Sequence, residues 1–299
     1  MNAIEINQLN FSYNKKEPLL HDVSMSVPQG GIYGFLGPNG AGKTTTLKLI
    51  LNLLKHKGNG TINILGIDTS KHYPAYLKEI GSLVEDPSIY HHLTAKANLK
   101  IWSNYYNCEA NRVEEVLEII GLTHAANKKV QAFSTGMKQR LGIGIAILHD
   151  PKILILDEPT NGLDPIGIND LRMLMHKLTS DGKTIILSSH ILSEVEKIVD
   201  HVGIIKDGRI IYEGPLEQLN NRTNIKSKIT IYVDNCEKAK KYLEKHFPTI
   251  VMDDQLQVDI NSRKDINQIV RIIIDNDIQL YELIKPKINL ETIFMNLAK

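Results

Sequence analysis

The first part of the chain, residues 1–30, alternates between apolar and polar positions in short runs. Runs such as Ile4-Glu5-Ile6 and Val23-Ser24-Met25-Ser26-Val27 have the period of two that is typical of half-buried strands. Farther along, Ile153–Leu156 and Thr184–Leu187 are continuous apolar runs, as expected for strands that are buried on both faces. The pattern predicts antiparallel strands first and then strands that alternate with helices in a parallel sheet, which is an α/β fold.

Helical spacing dominates much of the region between the two sets of strands. Arg112–Gly121 carries its apolar residues on one face and ends at a glycine, which is typical of a helix C-cap. Lys138–Leu148 predicts a second helix, although Gly142 and Gly144 each cost about 1 kcal/mol relative to alanine. We therefore expect a closely packed neighbour on the face that carries these glycines.

A hairpin and a polar stretch mark the end of this pattern. Asp207-Gly208 favours a tight turn between strands at Val202–Ile205 and Arg209–Tyr212, and the polar run Gln218–Asn224 predicts a domain boundary. Residues 225–299 are predicted to form a small accessory α+β domain. Its predicted elements are strand Lys228–Val233, helix Glu237–Phe247, strands Thr249–Met252 and Gln255–Ile260, helix Asp265–Asp275, strand Gln279–Lys285 and helix Leu290–Lys299.

Composition and charge limit the possible functions. The 299 residues are 42% hydrophobic and carry a net charge of +1, so a core can form and no charge argument favours nucleic acid. Cys108 and Cys236 lie far apart in no metal-binding spacing, which suggests a reducing compartment. The N-terminus has no signal-peptide pattern, and no apolar run approaches the roughly 18 residues of a membrane span. We expect any membrane role to come through a partner.

The strongest chemical signal is Gly37-Pro38-Asn39-Gly40-Ala41-Gly42-Lys43-Thr44, which fits the phosphate-binding pattern G-x-x-x-x-G-K-[ST]. Glycines let the backbone bring its N–H groups close to phosphate oxygens. Lys43 can reach the outer phosphates, and the hydroxyl of Thr44 can bind Mg²⁺. The flanks predict the strand and the helix that such a loop needs, at Gly31–Leu36 and Thr45–Leu54.

Two adjacent carboxylates, Asp157 and Glu158, follow the buried strand Ile153–Leu156. Open α/β sheets bind their ligands at this end of the strands. Beside a phosphate-binding loop, one carboxylate can bind Mg²⁺ and the other can accept a proton from an attacking water. We predict that Asp157 binds the metal and that Glu158 is the general base.

With these motifs in order, the sequence resembles the nucleotide-binding subunit of ATP-binding cassette (ABC) transporters. The loop at 37–44 looks like the Walker A motif and Ile153–Asp157 looks like Walker B. Between them, Phe133–Arg140 is similar to the signature motif; it departs from the usual LSGGQ at Phe133, Thr135 and Met137 and retains Ser134 and Gly136. The 91 positions from Lys43 to Ser134 leave room for the family's helical subdomain.

Other landmarks of the family fall in the same order. Asn161-Gly162-Leu163-Asp164 looks like the D-loop, His190 stands where the switch histidine stands, and Tyr13 is similar to the aromatic residue that stacks on adenine. Glu85 occupies the place where the family usually has glutamine. A glutamate at this position resembles the branch of the family that exports bacitracin and lantibiotic-type peptides. Its carboxylate oxygen can also bind Mg²⁺. Neutral drift within a general export family is the other interpretation of this difference.

The resemblance implies a P-loop NTPase cassette over residues 1–220, with an N-terminal antiparallel β-subdomain and a helical subdomain inserted at about 86–150. It implies ATP and Mg²⁺ as cofactors, with Glu158, His190 and Lys43 in catalysis and Thr44, Glu85 and Asp157 at the metal. The residues implied to bind the nucleotide are Tyr13, Gly37, Pro38, Asn39, Gly40, Ala41, Gly42, Lys43, Thr44, Thr45, Ser134 and Gly136.

The resemblance implies a homodimer in which Ser134 and Gly136 of one cassette reach the ATP of the other. ATP binding and hydrolysis would drive a separate membrane permease, with the chain on the cytoplasmic face of the cell membrane, to export a peptide antibiotic, a drug or a lipid. No nucleic-acid partner is expected. Two alternatives stay open: a soluble cassette ATPase that acts on ribosomes or DNA, and a regulatory cassette that binds ATP without hydrolysing it.

Overall fold

The computed structural model describes residues 1–14, 17–55, 60–222, 227–260 and 262–285. The chain divides into two compact units, of which the first is Met1–Leu216 and the second begins at Glu217. Among the described residues, no helix has both the length and the apolar character needed to cross a bilayer.

The first unit contains two sheets. Its strands are β1 (Asn2–Phe11), β2 (Leu20–Pro28), β3 (Gly31–Leu36), β4 (Thr61–Ile64), β5 (Ile67–Asp68), β6 (Ile80–Leu83), β7 (Ile153–Leu156), β8 (Thr184–Ser189), β9 (His201–Lys206) and β10 (Arg209–Pro215). Antiparallel strands form a sheet in the order β2-β1-β4-β5, and a second sheet has the order β10-β9-β3-β8-β7-β6. Residues of both sheets share one hydrophobic core, which includes Ile6, Met25, Phe35, Ile155 and Ile186.

In the described part of the chain, helices follow strands β3, β6, β7, β8 and β10. They are α1 (Lys43–Ile50), α2 (Ala95–Tyr106), α3 (Arg112–Ile119), α4 (Thr135–Ile147), α5 (Pro165–Ser180), α6 (Leu192–Val195) and α7 (Leu216–Arg222), with short 3₁₀ turns at Ala75–Glu79, Thr123–Ala125 and Val130–Ala132. Strands β6, β7, β8, β3 and β9 run parallel. Because parallel strands end at the same edge, the segments that follow β3, β7 and β8 lie together.

The second unit has a βαββαβ order. Its elements are β11 (Ser227–Val233), α8 (Cys236–Leu243), β12 (Thr249–Met252), β13 (Gln255–Ile260), α9 (Arg263–Asp275) and β14 (Leu280–Ile284). The antiparallel sheet has the order β12-β13-β11-β14. Ile231 and Leu256 from the sheet form a core with Leu243 and Ile269 from the two helices.

Many of the predicted strands are confirmed. The early antiparallel strands, the buried strands β3, β7 and β8, and the hairpin of β9 and β10 form where the sequence pattern predicts them. The close neighbours expected beside the helix glycines are also present. A Cβ added at Gly142 would lie 3.0 Å from Pro87 Cβ, and one at Gly144 would lie 2.7 Å from Ile120 Cδ1.

Several predicted helix ends are wrong. The helix expected over Thr45–Leu54 begins at Lys43 and ends at Ile50, because Asn52 adopts the left-handed conformation with φ 55°. Leu54 still packs on the core, which is why the apolar pattern extends past the helix. In the same way, the helix predicted over Glu237–Phe247 ends at Leu243 while Phe247 joins the core.

One long helix, α5, was not predicted. The signals for it are present: Asp164 accepts the N–H of Gly167 as N-cap, Pro165 opens the helix, and Leu171, Leu174, Met175 and Leu178 are buried at helical spacing. The helix predicted over Leu290–Lys299 lies outside the described residues.

Candidate functional site: a phosphate loop beside paired carboxylates

The loop between β3 and α1 is closely packed beneath its backbone. A Cβ at Gly37 would overlap the carbonyl oxygen of Ile205 and lie 2.9 Å from Ile205 Cγ2. Gly42 has φ 109°, a conformation that residues with a side chain rarely adopt. The loop leads directly into α1 at Lys43, so the positive end of the helix dipole faces the loop.

The ammonium group of Lys43 lies against this loop. The residue is 6% exposed, and Nζ donates hydrogen bonds to the carbonyl oxygens of Gly37 (2.8 Å) and Pro38 (3.3 Å). Its nearest charged partner is Glu158, at 3.5 Å between Nζ and Oε1. A charge this deeply buried is favourable only with partners, and a phosphate anion on the loop would be one.

Asp157 lies beside Thr44 at the start of α1. Thr44 Oγ1 donates to Asp157 Oδ2 (2.9 Å), and Ser188 Oγ donates to Asp157 Oδ1 (2.5 Å). These hydroxyl and carboxylate oxygens are ligands that Mg²⁺ prefers, and Mg²⁺ bound with ATP takes further ligands from phosphate and water. The donor set therefore fits Mg²⁺, with Thr44 and Asp157 as the residues that could hold it.

Glu158 forms a pair with His190, which follows β8. The distance from His190 Nδ1 to Glu158 Oε2 is 2.8 Å. An ionised carboxylate can only accept a hydrogen bond, so Nδ1 carries the proton in this pair. Glu158 adopts φ 48°, an uncommon conformation for a residue with a side chain. The side chain is 18% exposed, so water can reach it.

A cavity of about 360 Å³ joins the loop to this pair. It is lined by Leu19, Asn39, Gly40, Gly42, Lys43, Thr44, Thr45, Glu158, Asn161 and His190. Tyr13 lies next to this cavity: its hydroxyl is 3.2 Å from Oγ1 of the lining residue Thr45. Tyr13 is 64% exposed, and its ring packs edge-on against Phe11. The structure thus brings together the residues predicted for phosphate, metal and proton transfer.

Two lining residues, Leu19 and Asn161, were not predicted as site residues. Asn161 stands in the segment that resembles the D-loop, so its position three residues after Glu158 was the available signal. Leu19 lies in an irregular segment between β1 and β2 and carries no such signal.

Comparison with known proteins agrees with this geometry. The sequence matches the ABC transporter family over residues 20–161. It is 46% identical to the bacitracin transport ATP-binding protein BcrA of Bacillus licheniformis, over 82% of this chain and 79% of that protein. The chain belongs to the ATP-binding proteins of ABC transporters.

Other relatives extend the match. The lantibiotic transport ATP-binding protein SrtF of Streptococcus pyogenes is 43% identical over 70% of this chain and 90% of that protein. The linearmycin resistance ATP-binding protein LnrL of Bacillus subtilis is 33% identical over 99% of this chain and 98% of that protein. A solved ATP-binding subunit of an ABC transporter aligns with a TM-score of 0.65 at 30% identity, over 74% of this chain and 92% of that one.

A second structure, an ATP-binding cassette in its ADP conformation, aligns with a TM-score of 0.66 at 26% identity, over 75% of this chain and 97% of that one. The predicted fold class, a P-loop cassette with an antiparallel β-subdomain, is confirmed. As a member of this family, the chain is an ABC-type ATPase that binds nucleotide.

Ser134 and Gly136, which were predicted from the resemblance to the signature motif, stand at the N-terminus of α4. Ser134 caps the helix by accepting a hydrogen bond from the N–H of Met137 (3.3 Å). Around Gly136 there is space for a Cβ, whose nearest neighbour would be Leu163 Cδ2 at 3.7 Å. Among the described residues that line the 360 Å³ cavity, neither Ser134 nor Gly136 appears. Three residues of the same motif, Thr135, Lys138 and Gln139, line a second cavity together with Asp157 and Glu158.

Glu85 follows β6 with φ 64°, and its carboxylate is paired with Lys48 of α1 at 2.5 Å. The hydrogen bond to Glu85 raises the pKa of Lys48. Glu85 also lines a second cavity, of about 620 Å³, which it shares with Asp157 and Glu158. The residue predicted as a metal ligand thus lies at the rim of the carboxylate site and forms an ion pair there.

Proposed function

We propose that two copies of this chain sandwich two ATP molecules and drive a separate membrane permease that exports a peptide-type antibiotic. The observation that carries this proposal is the incomplete site within one chain. The phosphate loop, Asp157 and Glu158 lie together, while Ser134 and Gly136 are not among the residues that line the 360 Å³ cavity at the loop. A second chain supplies what one chain lacks.

Within one cassette, each group has a separate task. The backbone N–H groups of the loop and Lys43 bind the phosphates, and Tyr13 stacks on the adenine ring. Thr44 and Asp157 would hold Mg²⁺, which would supply positive charge beside the phosphates. Lys43 already lies 3.5 Å from Glu158, so a bound phosphate competes for the same ammonium group.

Glu158 accepts the proton of the attacking water. The Nδ1–H of His190 donates a hydrogen bond to Glu158 Oε2, which fixes the direction of the carboxylate. Oε1 takes no part in that hydrogen bond and is the oxygen that accepts the proton of the water. Loss of either residue is expected to stop hydrolysis while the loop still binds ATP. Glu85, at the rim, adds a third carboxylate near the metal.

In the dimer, the N-terminus of α4 meets the partner's ATP. The positive end of the helix dipole and the free space around Gly136 both suit a phosphate oxygen at this position. The Ser134 hydroxyl, now bonded to the N–H of Met137, is also close enough to the helix start to bond such an oxygen. Hydrolysis removes this bridge and lets the cassettes separate.

The cargo and the partner are inferred from relatives. Relatives at 46% and 43% identity are named for transport of bacitracin and lantibiotics, and one at 33% is named for linearmycin resistance. The bacitracin and lantibiotic names, together with a glutamate at position 85, favour export of a peptide-type antibiotic. The permease would contact the cassette near Glu85, on the cytoplasmic face of the membrane.

The test is co-expression with a candidate membrane permease in a host that is sensitive to bacitracin. We expect the pair to raise the tolerated bacitracin concentration severalfold, and the same pair with Glu158→Gln to give no protection. Purified in vesicles, the wild-type pair should hydrolyse ATP faster when bacitracin or a lantibiotic is added. Protection that survives Glu158→Gln, or no stimulation by either peptide, would contradict the proposal.

A further inference from the structure

Ser188 lies at a position that connects the two catalytic carboxylates. The register of β7 and β8 pairs Leu156 with Leu187, so Ser188 stands one residue past the end of β7, beside Asp157. Ser188 is fully buried, at 0% exposure. Its hydroxyl is therefore held inside the site by the sheet and has no contact with solvent.

This hydroxyl makes two hydrogen bonds at once. Oγ donates to Asp157 Oδ1 (2.5 Å) and accepts the backbone N–H of Glu158 (2.9 Å). A hydroxyl has one donor and two acceptor positions, so a single serine can serve both neighbours. An alanine could serve neither of them.

The hydrogen bond from the Glu158 N–H involves a residue whose backbone conformation is uncommon. Glu158 has φ 48°, and a left-handed conformation in a residue with a side chain persists only where the surroundings hold it. The direction of the Glu158 side chain depends on this conformation, because the carboxylate must reach both Lys43 (3.5 Å) and His190 (2.8 Å). The Ser188 hydroxyl accepts a hydrogen bond from the backbone N–H of Glu158 and so helps to keep that conformation.

We propose that Ser188 is a positioning residue that fixes Asp157 and Glu158 relative to each other through one shared hydroxyl. It sets the metal-binding carboxylate and the water-activating carboxylate at a constant separation. The inference rests on the proposed roles of Asp157 and Glu158. Residues of this kind behind a metal ligand typically change activity or metal affinity by 10- to 100-fold when they are removed.

The experiment compares Ser188→Ala with a matched control in the same strand. Thr184, at the other end of β8, is 4% exposed, and its Oγ1 accepts the N–H of Gly30 (2.9 Å). Thr184→Val therefore removes a buried hydroxyl that accepts a backbone N–H, far from the carboxylates. Ser188→Cys is the second variant, because it keeps the branching of the side chain, with a larger sulfur atom, and replaces the hydroxyl by a weak donor.

Four quantities are measured on the full chain: kcat for ATP, KM for ATP, the thermal midpoint, and the affinity for Mn²⁺ with a non-hydrolysable ATP analogue. The Mn²⁺ affinity is read from the electron paramagnetic resonance of free Mn²⁺. We expect both Ser188 variants to lower kcat by about 10- to 100-fold with KM changed less than about threefold, and to weaken Mn²⁺ binding by about tenfold. Thr184→Val should lower the thermal midpoint and leave kcat and Mn²⁺ affinity near the wild-type values.

The inference is overturned if either Ser188 variant that folds keeps kcat within twofold of wild type, or if Mn²⁺ affinity is unchanged. It is also overturned if Thr184→Val lowers kcat as much as Ser188→Ala, because the effect would then be one of stability. Glu158→Gln separates this result from the proposed function: if that variant still hydrolyses ATP, the role of Glu158 fails, whatever Ser188 does.

Discussion

Replacing Gly37 by alanine tests whether the phosphate loop depends on its close packing against β9. A methyl group there would overlap the carbonyl oxygen of Ile205 and lie 2.9 Å from Ile205 Cγ2, whereas ordinary contacts begin at 3.4 Å. The overlapped atom belongs to the backbone of a strand paired on both sides, with β3 and β10. We therefore expect the loop to move, because hydrogen bonds to both neighbouring strands hold β9 in place.

The size of the effect follows from this overlap. Relief of the contact needs a displacement of the loop on the order of 1 Å, and a misplacement of that size can lower a reaction rate by about 100-fold. Overpacking of this kind costs about 1–3 kcal/mol of unfolding free energy. We expect Gly37→Ala to lower kcat/KM for ATP by about 100-fold while the chain remains folded.

The assay is ATP hydrolysis by the purified variant, with thermal unfolding measured in parallel. Gly182→Ala is the control, because Gly182 lies in a turn between α5 and β8, has φ 85° and would place its Cβ in open space. That variant should lose about 1 kcal/mol through backbone strain and keep the wild-type kcat/KM. A Gly37→Ala variant with kcat/KM within threefold of wild type would refute the argument from packing.

Three other changes test separate contacts. A double-mutant cycle of Lys48→Ala and Glu85→Gln should give a coupling below about 1 kcal/mol in denaturant unfolding, because Glu85 is 66% exposed; a coupling above about 2 kcal/mol would contradict this. Arg112→Ala should lose about 1.5–3 kcal/mol in the same assay, since its guanidinium donates to the last carbonyls of α4; a loss under 0.5 kcal/mol would contradict the capping role. Burial lowers the pKa of His149 in the folded chain, so as pH falls the unfolded chain binds a proton at this histidine before the folded chain does. We therefore expect thermal stability to fall as pH drops below about 6.5. His149→Phe should flatten that dependence.

The parts of the fold that follow from local sequence could be predicted. The phosphate loop has a fixed spacing, and the buried strands β7 and β8 are continuous apolar runs, so both appear in the sequence without any knowledge of their neighbours. The same holds for the position of Asp157 and Glu158 at the end of β7, because the strand and the carboxylates are adjacent in the chain.

The parts that depend on tertiary contacts could not be predicted. The end of α1 is set by the left-handed Asn52, while Leu54 continues the apolar pattern because it packs on the core from a turn. The contacts of Ser188 with Asp157 and Glu158 depend on the register of β8 against β7, which no local pattern gives. The ion pair of Lys48 with Glu85 likewise joins two segments that are distant in sequence.

The dimer is the central claim, and the mass of the Glu158→Gln variant in solution tests it most directly. In this variant ATP should bind without turnover, so two chains should stay closed around it. Sedimentation should give the mass of one chain without nucleotide and twice that mass with Mg²⁺ and ATP, and adding Ser134→Arg should restore the single-chain mass. A Glu158→Gln variant that keeps the single-chain mass at saturating ATP, or that still dimerises equally well when Ser134→Arg is added, would contradict the account.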